Sequence, residues 1–182
     1  MIKKKETALR RLRTSSCKWD DYKNYSPELQ RDPDVCLAAV MNAGMALMFI
    51  PEECRTREVC LVAVAGDESA SFYVPEKYKN DGAFWCDAVK RNSALISCVP
   101  YASRTEEMCV DAVRRDARNL YWVSAEMQTP KVCLAAMDND IRVAAYNIKA
   151  SVLRAAFEAY SSAVQNARTE NRDGERTGEE KR

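Results

Sequence analysis

A nine-residue pattern returns five times in this chain, and its spacing limits what the chain can fold into. It reads "DPDVCLAAV" from Asp32 to Val40 and "TREVCLVAV" from Thr56 to Val64. "TEEMCVDAV" from Thr105 to Val113 and "TPKVCLAAM" from Thr129 to Met137 follow, with a variant copy from Asp81 to Val89 between them. Aligned on their small apolar pairs (Ala39-Val40, Ala63-Val64, Ala88-Val89, Ala112-Val113 and Ala136-Met137), the copies are spaced by 24, 25, 24 and 24 residues. Self-similarity at such a period is the signature of stacked repeats, each too small to bury its own apolar face alone.

The aligned columns predict local structure. Asp32, Thr56, Asp81, Thr105 and Thr129 each open an apolar periodic stretch, where an oxygen-bearing side chain caps the free backbone N–H groups of a helix. Pro33 and Pro130 follow at the first helical position, where a missing N–H costs nothing. Apolar residues three or four, seven and eight positions beyond the cap share one helical face. Each unit therefore begins with a helix of about ten residues. Phe49-Ile50-Pro51, Tyr73-Val74-Pro75, Cys98-Val99-Pro100 and Trp122-Val123-Ser124 form a later column. Proline there stops any continuing helix, so a second short helix ends just before it. The expected fold is all-α: a right-handed α-solenoid of five helix–turn–short-helix repeats, occupying residues 25–146.

Both ends of the array are expected to be atypical, since terminal repeats lack an outer neighbour. Residues 1–24 hold a basic segment and a degenerate capping repeat, with Thr7, Leu9 and Leu12 on one helical face. Ile141 to about Ala167 is read as a long capping helix (residues 141–167), with Val143, Ile148, Val152, Leu153, Ala156, Phe157, Tyr160 and Val164 at helical spacing. Residues 168–182 carry no bulky apolar side chain and form a charged, disordered tail.

Each copy has a cysteine three residues before its alanine (Cys36, Cys60, Cys109 and Cys133), except where Trp85 takes the place. In-register residues of stacked helices lie about 8–10 Å apart, whereas a disulfide needs Cα atoms within about 7 Å. Column neighbours are therefore not bridged. A free cysteine packs as a small hydrophobe, and the column is assigned to the core. Cys17, Cys54 and Cys98 lie outside the column and are the candidates for redox sensing.

Several functions are excluded or weakened by what the chain lacks. It has no histidine, so the usual triads and Cys–His zinc sites are missing. Its eight cysteines include no C-x-x-C pair, and its five glycines form no phosphate-cradling loop. No catalytic residue, metal site or cofactor is expected. Charge is balanced, 28 basic against 27 acidic residues, so an electrostatic partner would have to use a local patch. With no apolar run of transmembrane length and no signal-peptide pattern, the chain is expected to be soluble and cytoplasmic.

The segments "TREVCLVAV", "NSALISCVP" and "TPKVCLAAM" resemble the bacterial repeats catalogued as domain of unknown function 4116. The likeness covers about Tyr25 to Tyr146. The third unit departs from it with Trp85 and one extra residue before Asp81, and the fifth lacks its final proline. The resemblance implies a helical-repeat architecture with no established activity and supplies no catalytic residues. Variant leucine-rich repeats have a similar period and are the nearest alternative architecture.

Two features are candidate sites. Lys90-Arg91 and Arg114-Arg115 occupy one column of consecutive units, with Arg118 close in sequence. They form a candidate docking patch for an acidic protein surface or phosphate, although basic residues in a helix's last turn also serve its macrodipole. The segment "KKKETALRRLR" could contact nucleic acid or an acidic partner, with a solvated, frayed terminus as the favoured alternative. Tyr73, Tyr101, Tyr121 and Trp122 could stack bases, but most of them fall on the apolar column, so core packing is the favoured reading. The chain is thus expected to be a non-catalytic protein-binding module or scaffold, for which an inhibitor or accessory subunit is a fitting role. The alternatives are a nucleic-acid-associated protein, such as a phage or mobile-element inhibitor using the basic patch and N-terminal arm, and a thiol redox switch. No small-molecule substrate is evident.

Overall fold

Five capping side chains start the ten-residue helices, as their residue types dictate. Asp32 accepts from the amides of Asp34 and Val35 at 3.0 and 3.2 Å. Thr56 accepts from Val59, Asp81 from Ala83, Thr105 from Met108 and Thr129 from Val132, at 2.9 to 3.4 Å. A computed structural model of the chain describes residues 2–13 and 19–148, with single positions at 152, 158, 161 and 162. The described residues are helical: α1 (Lys5–Leu12), α2 (Pro27–Gln30), α3 (Pro33–Asn42), α4 (Arg57–Gly66), α5 (Glu76–Lys79), α6 (Gly82–Arg91), α7 (Glu106–Arg115) and α8 (Pro130–Asn147), joined by 3-10 helices. Among them no strand forms, and one isolated bridge pairs Ile2 with Tyr25. No described helix is long and apolar enough to cross a membrane. Contacts divide the chain into two units, Met1–Met108 and Cys109–Arg182.

Each ten-residue helix described by its caps ends at one conformation. Ala43, Asp67, Asn92, Asp116 and, within α8, Asp140 all have φ between −142 and −152° and ψ between 104 and 115°. One extended residue breaks the helix and turns the chain. Four of the five then cap the next helix: Asp67 accepts from Ser69, Asn92 from Ala94, Asp116 from Arg118 and Asp140 from Arg142, at 2.9 to 3.1 Å. The second helices are 3-10 at Gly44–Phe49, Glu68–Tyr73, Ser93–Ser97 and Ala117–Trp122. Behind them Ile50, Val74, Val99 and Val123 are buried.

Gly44, directly after the first of these hinges, is needed for a close approach. A Cβ there would collide with the carbonyl oxygen of Ala63 and sit 2.8 Å from the Cβ of Asp67. The turn after α3 therefore rests directly on the end of α4.

The spacing of 25 residues has a local cause. The return from Pro51 to Thr56 is a 3-10 turn, with Cys54 N bonding Pro51 O at 2.8 Å, and Ser103 N bonds Pro100 O likewise at 2.9 Å. The return from Pro75 is instead α-helical: Lys79 N bonds Pro75 O at 3.0 Å and Asn80 N bonds Glu76 O at 3.2 Å. An i→i+4 turn takes up one residue more than an i→i+3 turn, so the extra residue before Asp81 is absorbed without disturbing the cap.

In the first unit α3 packs on α1 and α4, and α4 on α6. Val35, Cys36, Ala39 and Val40 meet a core continued by Leu47, Cys60, Leu61, Ala63 and Val64, and by Phe84, Trp85 and Ala88. In the second unit α8 packs on the Ala117–Trp122 helix, burying Leu120, Val132, Cys133, Ala136 and Ala144.

Two terminal expectations are corrected. The basic N-terminal segment is not a frayed end: α1 buries Ala8 and Leu12, Ile2 N bonds Asn24 O at 3.2 Å, and Lys5 reaches Asp32 and Asp34 at 2.9 and 2.6 Å. A single helix from Ile141 to Ala167 does not form either, because α8 stops at Ile148, whose backbone is extended (φ −89°, ψ 133°) and whose side chain is buried. Ile141–Asn147 is thus the second helix after the Asp140 hinge, and Ile148 closes it as Val123 closes the one before. Leu153, Ala156, Phe157, Tyr160, Val164 and the 168–182 tail lie outside the described residues, as does Cys17.

Candidate functional site

The cysteine column does more than fill space. Cys36 Sγ donates to the Gln30 carbonyl at 3.3 Å, Cys60 Sγ to Arg55 O at 3.7 Å and Cys133 Sγ to Gln128 O at 3.6 Å. At the aberrant position Trp85 Nε1 donates to Lys79 O at 2.8 Å. Each donor bonds the carbonyl of a residue just before the cap, beside the core; the Gln30 carbonyl also accepts from the Tyr22 hydroxyl. A second fixed contact recurs beside it. Gln30 Nε2, Arg55 Nε, Arg104 Nε and Gln128 Nε2 each donate to the carbonyl five residues earlier, at 2.8 to 3.2 Å. Burial pushes the Cys60 thiol up to about 12, against the pull of Arg55 and Lys77, and the Cys133 thiol up to about 11. The Cys60 and Cys133 thiols are therefore protonated at neutral pH.

The basic residues expected to form one patch fall in both units. Lys90 and Arg91 end α6 in the first, while Arg114, Arg115 and Arg118 follow one another through α7 and the next 3-10 helix in the second. Arg91 and Arg118 are held by carboxylates. Arg91 reaches back to Glu58 on α4, Nη2 lying 3.1 and 3.3 Å from its two carboxylate oxygens. Arg118 contacts both oxygens of Asp116 through Nε at 2.9 and 3.1 Å and one through Nη2 at 2.8 Å. That pair holds the Asp116 carboxyl below its usual range. Arg114 and Arg115 are exposed.

Residues in the Arg91 column commonly tie one helix to its predecessor. Asn42 Nδ2 donates to Leu12 O at 2.8 Å, closing the end of α1. Asn139 Nδ2 donates to Arg114 O at 2.9 Å while its Oδ1 accepts from Ala117 N at 3.0 Å. Arg91 makes the longer version of the same link. A basic residue at position 91 is thus explained by the fold, which weakens the case for a ligand there.

The aromatic assignment is also corrected. Tyr101, Tyr121 and Trp122 are exposed and Tyr73 is half-buried, not core. A 3-10 helix repeats every three residues, so side chains three apart eclipse. In the second unit Ala117, Leu120 and Val123 therefore form the buried row, and Arg118 and Tyr121 the outer one. Tyr121 is 71% exposed, and Trp122, 48% exposed, meets it edge-on at 5.0 Å between ring centroids. Phe72, in the first unit, holds the position of Tyr121 relative to its own hinge and is 78% exposed. Phe72 went unnoticed in the sequence; counting in threes from Ser69, the counterpart of Arg118, would have found it.

No protein-family model, curated protein or solved structure matches the chain.

Proposed function

We propose that this chain is a non-catalytic binding module, a right-handed helical solenoid of five units in the manner of the domain of unknown function 4116 repeats, and that it docks a protein partner. The observation that carries the proposal is the exposed Tyr121–Trp122 pair on the outer row with Arg118. Solvated tryptophan and tyrosine held by a rigid turn, with arginine alongside, have the composition of an interface hot spot. Folding does not require them there, since Leu120 and Val123 already supply the buried side of that turn.

A nucleic-acid partner is the second reading, favoured by the same aromatics beside Arg114, Arg115 and Arg118. The local charge speaks against it. Between Cys109 and Ile148 five basic side chains stand against five acidic ones, so the surface has no net positive field to gather phosphates.

Affinity capture with the intact chain and with a Tyr121→Ser/Trp122→Ser variant tests the proposal. A protein retained by the intact chain and lost by an equally folded variant supports it. Tight binding of single-stranded or duplex oligonucleotides that weakens steeply with salt and is lost in Arg114→Ser/Arg115→Ser would replace it with the second reading.

A further inference from the structure

Cys36 and Cys54 stand apart from the other thiols because their sulfurs are held at neighbouring carbonyls. Cys36 is wholly buried on the first turns of α3, 3.3 Å from the Tyr22 hydroxyl and 3.3 Å from Gln30 O. Cys54 ends the 3-10 helix Glu52–Cys54 and directs its sulfur to Arg31 O, the next carbonyl along, at 3.9 Å. The two sulfurs are thus held at consecutive carbonyls, Gln30 O and Arg31 O. Cys54 also lines a cavity of about 390 Å³ between α3 and α4, walled by Arg31, Leu37, Glu53 and Val59, and is half-buried. Cys54 thus lines the pocket while Cys36 is buried in the core. Cys98, of similar exposure, faces the Ser97 hydroxyl at 3.6 Å instead.

We propose that Cys54 and Cys36 are a peroxide-oxidation site, with Cys54 as the attacking thiol and Cys36 as the resolving one. Hydrogen peroxide, or a small hydroperoxide, enters the α3–α4 cavity. The Cys54 thiolate attacks one peroxide oxygen, an S–O bond forms as the O–O bond breaks, and the departing hydroxide takes up a proton. The product is a sulfenic acid. Cys36 sulfur then attacks the Cys54 sulfur; the S–S bond forms, the S–O bond breaks, and hydroxide leaves with the Cys36 proton as water. Two thiols lose two electrons, and the peroxide is reduced to two waters. Cys36 suits the second role: burial pushes its thiol up, so it stays protonated and unreactive until an electrophilic sulfur appears beside it. The disulfide links the start of α3 to the return that leads into α4.

The test treats the native full-length chain with a small excess of hydrogen peroxide, removes the oxidant, then alkylates in denaturant and maps the peptides. The expected result is loss of two of the eight alkylation sites, with a cross-linked Cys36–Cys54 peptide lighter by two hydrogen atoms and restored by dithiothreitol. Cys54→Ser should abolish the cross-link, and Cys36→Ser should leave Cys54 as a sulfenic acid that dimedone traps. Full alkylation of both cysteines in the treated wild-type chain would overturn the proposal. So would a Cys54 that proceeds to sulfinic acid with no disulfide formed. Both of those outcomes are read on the wild-type chain, whatever the folding of the variants.

Discussion

Trp85 donates its indole N–H to the carbonyl of Lys79 at 2.8 Å, filling the role that thiols play at Cys36, Cys60 and Cys133. The one break in the cysteine column therefore keeps its chemistry, a buried donor aimed at a carbonyl before the cap. Trp85→Phe keeps most of the volume and removes the donor. It should cost about 1–3 kcal/mol, the usual range for leaving a buried carbonyl unpaired, measured by urea denaturation. A loss no larger than that of an exposed substitution would mean that packing alone explains the column.

Alkaline pH offers a separate test of the thiols. The Cys60 thiol is raised from about 9 to about 12, first by burial. A group whose folded value is raised contributes stability that is fully present below its unfolded value and is lost as pH rises through the folded one. Stability should therefore decline between about pH 9 and pH 12, with Cys133 adding to the decline up to about 11. Cys60→Ser, which keeps a donor and does not titrate in this range, should flatten the decline in thermal melts across that window. An unchanged slope would contradict the burial of this thiol.

Arg91 and Glu58 form an exposed pair between α6 and α4. Exposed ion pairs are worth about 0.2–1 kcal/mol, so Arg91→Ser should destabilise by no more than that. Combined with Glu58→Gln, it should show coupling in a double-mutant cycle. Arg114→Ser, at an exposed helix end, should change stability by less than about 0.5 kcal/mol. Raising salt should shrink the Arg91–Glu58 coupling. Absence of coupling at low salt would return Arg91 to the pool of charges available to a partner.

The first half of each unit was legible in the sequence because it rests on local chemistry repeated in register. Asp or Thr at the cap, Pro33 and Pro130 at the first helical position, and the Ala-Val pair all specify a ten-residue helix. The second half was less legible. Ala43, Asp67, Asn92, Asp116 and Asp140 share one backbone conformation but not one residue type, so the hinge left no conserved letter along the chain. A 3-10 helix also turns faster than an α-helix, which moved Tyr121 and Trp122 from the core, where an apolar column suggested them, to the surface. The role of Arg91 depends on Glu58, thirty-three residues earlier, and no local pattern shows such a link.

The central claim is that the outer aromatic row of the second unit meets another protein. A photo-activated cross-linker, p-benzoylphenylalanine, in place of Tyr121 reports that contact at the residue itself. Irradiation in the organism that encodes the chain should give a covalent adduct with one protein species. The same probe in place of Lys131, exposed in the same unit, should give none. Equal labelling from both positions, or adducts to nucleic acid alone at position 121, would contradict the account.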